Sequence, residues 1–305
     1  MELPDWRTRR RVRAFIVMLI AACVKWLDLS PEVSAFDQVV RTDERRGGMS
    51  DADGTAVELA ARIAHACGAS LRIVCCGPAG AHRALGALAA AVSCVDVVRV
   101  NGTPHESSIA VAHALSLQLA DVDLVVCGDY SLDRGSGATP VALAHYLQAQ
   151  QATSVVDLQH FAARDGGAGV TGRVVRRIDG GRREVCEVDG VAVLSVEGAA
   201  LCDGDPATLR RASLKSMVSI PQVRVVDRPG SHAEPHWHNV MPASHVVDAP
   251  EGETALARIR ELAGLTGGPQ TSSQPVALEP EAAAALIMTT LQSWGYVDAD
   301  HPAAT

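Results

Sequence analysis

The chain has 305 residues, 48% hydrophobic and 3% aromatic, and carries a formal net charge of −8. That length supports two domains, or one domain with a long extension. The acidic balance argues against a nucleic-acid binder, which carries a basic face. No apolar run reaches the roughly 18 residues that span a bilayer. The chain opens with RTRRRVRAFIVMLIAACVKWLDLSPE, Arg7–Glu32, in which five arginines precede an apolar run from Ala14 to Val24. It supports two readings. One is an export signal, with Ile20-Ala21-Ala22-Cys23 as a lipobox. The other is the first strand of a cytoplasmic α/β domain behind a basic extension.

From Phe15 onward short apolar runs alternate with longer amphipathic ones. FIVMLIAACV is a strand. GTAVELAARIAHACGA has apolar residues at helical spacing, with Gly68 as a stop signal. SLRIVCCG is a strand, and PAGAHRALGALAAAV is a helix with Pro78 in its first turn. CVDVVRV is a strand, HESSIAVAHALSLQLADV a helix, VDLVVCG a strand and GSGATPVALAHYLQAQ a helix. Nearly continuous apolar strands between helices imply a mostly parallel, doubly wound α/β sheet covered on both faces.

The pattern changes after Gln151. GVTGRVVRRIDGGRREVCEV reads as a β-hairpin around Asp179-Gly180-Gly181, and GVAVLSVEG as another apolar strand. DGDPATLRRASLKSMVSIPQ, Asp203–Gln222, reads as an exposed arm. Residues 228–274 are rich in Pro, Gly, His and Ser, with one short helix near Glu253–Leu265. The end is an amphipathic helix from about Glu279. The organisation expected is a basic extension over 1–17, a core over 18–200, the arm and its return over 201–226, and a C-terminal arm over 227–305.

The eight cysteines contain no CxxC pair, and several end Val/Ile-rich runs. They read as reduced, buried small hydrophobes in a cytoplasmic protein.

LVVCGDYSLDRGSGATPVALAHYL, Leu124–Leu147, carries the most chemistry. A buried strand ends at Gly128, and Gly135-Ser136-Gly137 leads into a helix whose start is an anion site. Cys23-Val24-Lys25 and Cys75-Cys76-Gly77-Pro78 end strands on the same edge, where α/β sheets hold ligands. Together they point to a small-molecule crevice. There is no Ser-His-Asp order and no GxSxG, so no enzyme activity is expected. His232, His236, His238 and His245 lie in the Pro-rich segment without carboxylate or cysteine spacing and read as a solvated loop rather than a metal site.

Six stretches in order resemble the β subunit of electron transfer flavoproteins, the family that includes the FixA-type subunits. They are LIAACVK, AVELAARI, CGPAG, GDYSLDRGSGATP, RRIDGGRREVCEVDGVAVLSV and DPATLRRASLKSM, covering about Met18 to Val226. ACVKWLDLSPEV, VVCGDYSLDRGSG and the terminal WGY are most similar to divergent actinobacterial members associated with the peptide-derived redox cofactor mycofactocin.

The resemblance implies an adenine-nucleotide-binding, HUP-like core. It implies a heterodimer with an α subunit that holds FAD, fed by a donor dehydrogenase and drained by a quinone reductase or other acceptor. The β site is implied to hold AMP or ADP, or a second FAD in a bifurcating member. The matching positions are Cys23, Ser50, Asp53, Cys76, Gly128, Asp133, Gly135, Ser136, Gly137 and Thr139. Asp129-Tyr130 stands where the family has Lys-Gln, and Ala138 where it has Gln, which places negative charge near the phosphate. Leu214, with Arg211, matches the recognition loop that meets the donor dehydrogenase. From the residues alone Leu214 is either that docking residue or a leucine folded on its own sheet. The C-terminal arm with its terminal helix is expected to wrap the α subunit. A stand-alone adenine-nucleotide-binding protein, a stress-type sensor or an adenylate-using enzyme, is the alternative. In this family the first strand begins at a position matching Met18, which makes Cys23 a strand residue and leaves 1–17 as a disordered tail or start-site artefact.

Overall fold

The computed structural model describes residues 18–34, 36, 39–94, 96–103, 106–165, 168–218, 220–227, 249–250, 252–262 and 277–293. The basic extension over 1–17 and the His-rich segment over 228–248 lie outside them.

The core is built by strand–helix alternation. Strand β1 (Leu19–Val24) is followed by two short ribbons, β2 (Leu27–Asp28) with β5 (Gly47–Gly48) and β3 (Glu32–Ser34) with β4 (Val39–Arg41). Then come α1 (Asp51–Ala66), β6 (Ser70–Gly77), α2 (Ala81–Val92), β7 (Asp96–Asn101), α3 (Ser108–Ser116), β8 (Leu124–Gly128) and α4 (Ala138–Leu147). The chain continues through β9 (Gln150–Ala163), β10 (Val170–Arg177), β11 (Arg183–Gly190) and β12 (Ala192–Cys202). The arm contains β13 (Asp205–Pro206), the four-residue α5 (Leu214–Met217) and β14 (Val223–Val226).

The main sheet runs β11-β10-β9-β12-β8-β1-β6-β7-β14, with β13 added on β12. Every pairing from β9 through β14 along that order is parallel, while β9–β10 and β10–β11 are antiparallel. The expected α/β class is therefore the observed one.

Strand β1 shows why the sheet is doubly covered. All six of its residues are buried. Ile20, Ala22 and Val24 join the cluster with α1 and α2, and Leu19, Ala21 and Cys23 join the cluster with α3 and α4. A strand buried on both faces needs no polar alternation, and each fully buried Leu or Ile contributes about 1.5–3 kcal/mol. Asp123 ties the strand starts together by accepting the backbone N–H groups of Leu19 and Gly169.

Three boundaries differ from the sequence reading. Helix α1 begins at Asp51, because the Ser50 hydroxyl caps it by accepting the Asp53 N–H. Helix α3 ends at Ser116 rather than near Val122, the chain turning before β8. Strand β9, fourteen residues long, has no clean alternation, because Ser154 and His160 take left-handed φ values of 55°. Register shifts in its pairings with β10 and β12 mark the same irregularity.

The chain divides into two compact units, at Asn239 and Val240. The second contains α6 (Ala255–Leu262) and α7 (Pro280–Ser293). Leu256, Ile259 and Leu262 are exposed on α6, and Leu286, Ile287 and Met288 on α7. Among the described residues no helix is long and apolar enough to cross a membrane.

Candidate functional site

A crevice of about 770 Å³ of empty space, part of it open to solvent, lies at the carboxyl ends of β1, β6 and β8. Cys23, Val24 and Lys25, then Cys76, then Cys127 and Gly128 bring the three strand ends to it. Parallel pairing does this directly, since Cys23 is in register with Cys127 on β8 and Val24 with Cys75 on β6. Helix α3 adds Val111 and Leu115, and the loop from Asp129 into α4 forms the rim.

The hydrogen bond with Cys127, reinforced by burial, pushes the Cys23 thiol well above its usual range. Burial pushes Cys75 up to about 12. All eight cysteines are unpaired by disulfide, and those at the strand ends act as small apolar groups.

Asp53 enters from the first turn of α1 and is 6% exposed. Burial pushes its carboxyl up to about 7, although it accepts the Lys25 backbone N–H. Gly128 lies directly against it. A Cβ there would stand 2.8 Å from Asp53 N, 2.8 Å from Asp53 Oδ1 and 2.9 Å from the Ala52 carbonyl carbon. Two of these are backbone atoms, so a side chain forces β8 and α1 apart. Gly128→Ala is expected to lower stability by about 1–3 kcal/mol and to weaken crevice ligands. Thermal unfolding checks the first; an unchanged midpoint means that the contact is slack.

Helix α4 opens on Gly137, held at φ 61°, with no side-chain cap. Gly137, Ala138 and Thr139 line the crevice, the Ala138 N–H reaches the Ser136 hydroxyl at 3.5 Å, and the helix dipole favours an anion there. Pro140 follows in the first turn and offers no N–H. The Thr103 hydroxyl is a second opening for a ligand, since Thr103 lines the crevice and its hydroxyl is buried without a hydrogen-bond partner among the described residues.

The structure places Cys23, Asp53, Cys76, Gly128, Ser136, Gly137 and Thr139 on the crevice lining. Ser50, Asp133 and Gly135 stand one step behind it. Ser50 caps α1. Asp133 takes the Lys25 ammonium at 2.6 and 2.7 Å. Burial alone would raise the Asp133 carboxyl; the Lys25 hydrogen bonds outweigh it and hold it below the usual range. Gly135 packs against the Tyr130 ring. Asp129, half-buried, is raised by burial and by the nearby Glu197 carboxylate.

Sequence reasoning missed Thr103 and Glu106, which line the crevice, as do Tyr130 and Arg134 of the loop between Gly128 and Thr139. The first two follow the β7 end at Asn101, on the same sheet edge as Gly77. That shared edge was the available signal. Arg211 is exposed, and it is Arg210 that makes the arm's ion pair, with Glu58 at 2.8 Å. Leu214 opens α5, whose start is capped by the Ser213 hydroxyl; its side chain lies outside the described residues.

The family model of the electron transfer flavoprotein domain matches residues 38–213, more than half of the chain. The chain belongs to the electron transfer flavoprotein family. No curated protein is a significant match. The matched span contains most of the crevice and the base of the arm. Electron transfer flavoproteins are electron carriers that hold flavin in their complexes. In this chain two observations suit the crevice to a nucleotide: the α4 start that lines it, and the Thr103 hydroxyl, which has no hydrogen-bond partner among the described residues.

Proposed function

We propose that this chain is the β-type subunit of a heterodimeric electron transfer flavoprotein and that its crevice holds AMP or ADP. The observation that carries the reading is the joining of three strand ends, those of β6 and β8 within the family-matched span, to the start of α4. The partner α subunit holds FAD, which when bound accepts and donates the electrons. The residues of this chain do the holding. The α4 amides receive the phosphate, and Thr103 meets a polar group of the nucleoside. The Lys25–Asp133 ion pair fixes the rim loop to β1.

Asp53, Glu106 and Asp129 all line the crevice, with Lys25 and Arg134 as its cationic members. Such a balance disfavours ligands with a longer run of terminal phosphates, and so favours AMP over ADP. The arm over 203–222 meets a donor dehydrogenase, with Leu214 as its docking residue, and the exposed apolar residues of α6 and α7 pack on the α subunit. The redox pathway is one linked to mycofactocin, and the downstream acceptor is a quinone reductase or a protein of that class.

Co-expression with a flavoprotein α subunit tests the reading. Yellow complex is expected only when both chains are present. Heat-denatured complex should release AMP or ADP beside FAD on chromatography. Nucleotide held by the chain alone, with no α partner taken up, would favour a stand-alone nucleotide-binding protein. A complex that forms but releases only FAD would remove the nucleotide from the crevice.

A further inference from the structure

We infer that Tyr130 is the base-stacking residue of the crevice: the nucleotide's planar base lies on its ring while the phosphate sits at the α4 start. This rests on the nucleotide reading above and adds to it the residue that selects an aromatic ligand.

Tyr130 is the only aromatic residue among the described residues that line the crevice. It follows the β8 end by two positions, so it stands at the same sheet edge as the strand ends. Its side is 52% exposed, which leaves ring surface free for a ligand. The rest is backed by the loop. A Cβ on Gly135 would stand 2.6 Å from Tyr130 Cε2 and 3.1 Å from Cδ2. Gly135 also has φ 60°, a conformation in which a side chain is strained. Both facts reserve that position for glycine. The Gly135-Ser136-Gly137 run is therefore a seat for the ring as well as an entry to the helix.

The loop that carries the ring is tied down at several points. The Asp129 N–H donates to the Val196 carbonyl at 2.9 Å. Lys25 and Asp133 pair across the loop. The Gly135 N–H reaches the Ser131 hydroxyl at 3.4 Å. A ring held in place before binding loses little freedom when a base stacks on it, so more of the stacking energy appears as affinity. Val111 and Leu115 on α3 supply further apolar lining, suited to a base rather than to a charged group. Stacking recognises the flat face that every base presents, while Thr103 is placed to read a polar edge.

The test uses the full chain stripped of nucleotide, with AMP and ribose 5-phosphate as titrants in calorimetry. Tyr130→Ala is expected to weaken AMP about 10–100-fold, the range measured for losing one base stack. Ribose 5-phosphate, which has no base, should bind parent and variant within about twofold. Tyr130→Phe should keep AMP affinity. Tyr130→Leu, which still fills the space over Gly135, should lose it as Tyr130→Ala does. AMP binding unchanged in Tyr130→Ala overturns the assignment, and so does equal loss of both titrants. Should ribose 5-phosphate not bind the parent, the contrast between Phe and Leu decides on AMP alone. A parent that binds no AMP instead removes the nucleotide reading on which the inference stands.

Discussion

Asp53→Asn is expected to be more stable than the parent at pH 8, by about 2–4 kcal/mol. For a chain of this size that is a rise of roughly 5–10 °C in Tm. The cause is burial of a carboxyl with little to compensate it. Asp53 is 6% exposed, and its pKa is pushed from 3.8 up to about 7. The hydrogen bonds from the Lys25 backbone and from the Ser50 hydroxyl and backbone, with the nearby Lys25 charge, oppose the shift without cancelling it. Between those two values the folded chain keeps a proton that the unfolded chain has released. The stability from this group is therefore complete below about pH 4 and is lost as pH rises to about 7. Asparagine keeps an acceptor for the Lys25 N–H and removes the titration. The difference between variant and parent should open across that window and stay level above it. Denaturant unfolding from pH 4 to pH 8 measures it. Parallel curves for the two proteins would mean that Asp53 ionises in the folded state as an ordinary aspartate does.

Glu58→Ala should act in the opposite direction, with a loss of about 2–3 kcal/mol. The Glu58 side chain is 3% exposed on α1, and it accepts from Arg62 at 3.0 Å and from Arg210 at 2.8 and 2.9 Å. Burial would raise its carboxyl, but the hydrogen bonds from Arg210 and Arg62 outweigh it and hold it below the usual range. The stabilisation is thus present above the usual glutamate range and is lost as pH falls through the lowered value. Both arginines reach solvent, which keeps the loss below that of a fully buried pair.

The local consequence is larger than the global one. Arg210 and the packing of Leu209 beside Gly54 hold the base of the arm on α1. With Glu58 gone, trypsin should cleave after Arg210 or Arg211 several-fold faster. Under the proposed function, electron transfer from the donor dehydrogenase should fall as well, because Leu214 is then presented on a loosened base. Unchanged cleavage kinetics would show that the arm is held by other contacts.

Much of the fold was legible in advance. Strands β1, β6 and β8 are continuous apolar runs, and a run without alternation is buried on both faces wherever it lies in the sheet. The hairpin was legible for a similarly local reason, because Asp179-Gly180-Gly181 supplies the positive φ values at Gly180 and Gly181 that its turn requires. Strand β9 was not legible. Its left-handed residues at Ser154 and His160 break the alternation that marks a strand, and its pairing with β12 compensates only after folding.

The site divides along the same line. That Gly128 and the Gly135–Gly137 run belong to one loop at the crevice follows from a strand ending before a glycine-led helix, and the chain itself carries that order. Which residues line the crevice was decided by parallel register. It sets Cys23 beside Cys127 and brings the β7 end, with Thr103 and Glu106, to the same edge. Neighbouring side chains then occupy or vacate the space. Asp133 turns to Lys25, Ser50 to the α1 amides, and Gly135 yields its place to Tyr130. Local sequence determines which segments are strands, helices and turns, because those preferences act within a few residues. Only the assembled sheet decides which turns share a crevice, because strand order and register arise from burying both faces of the sheet at once.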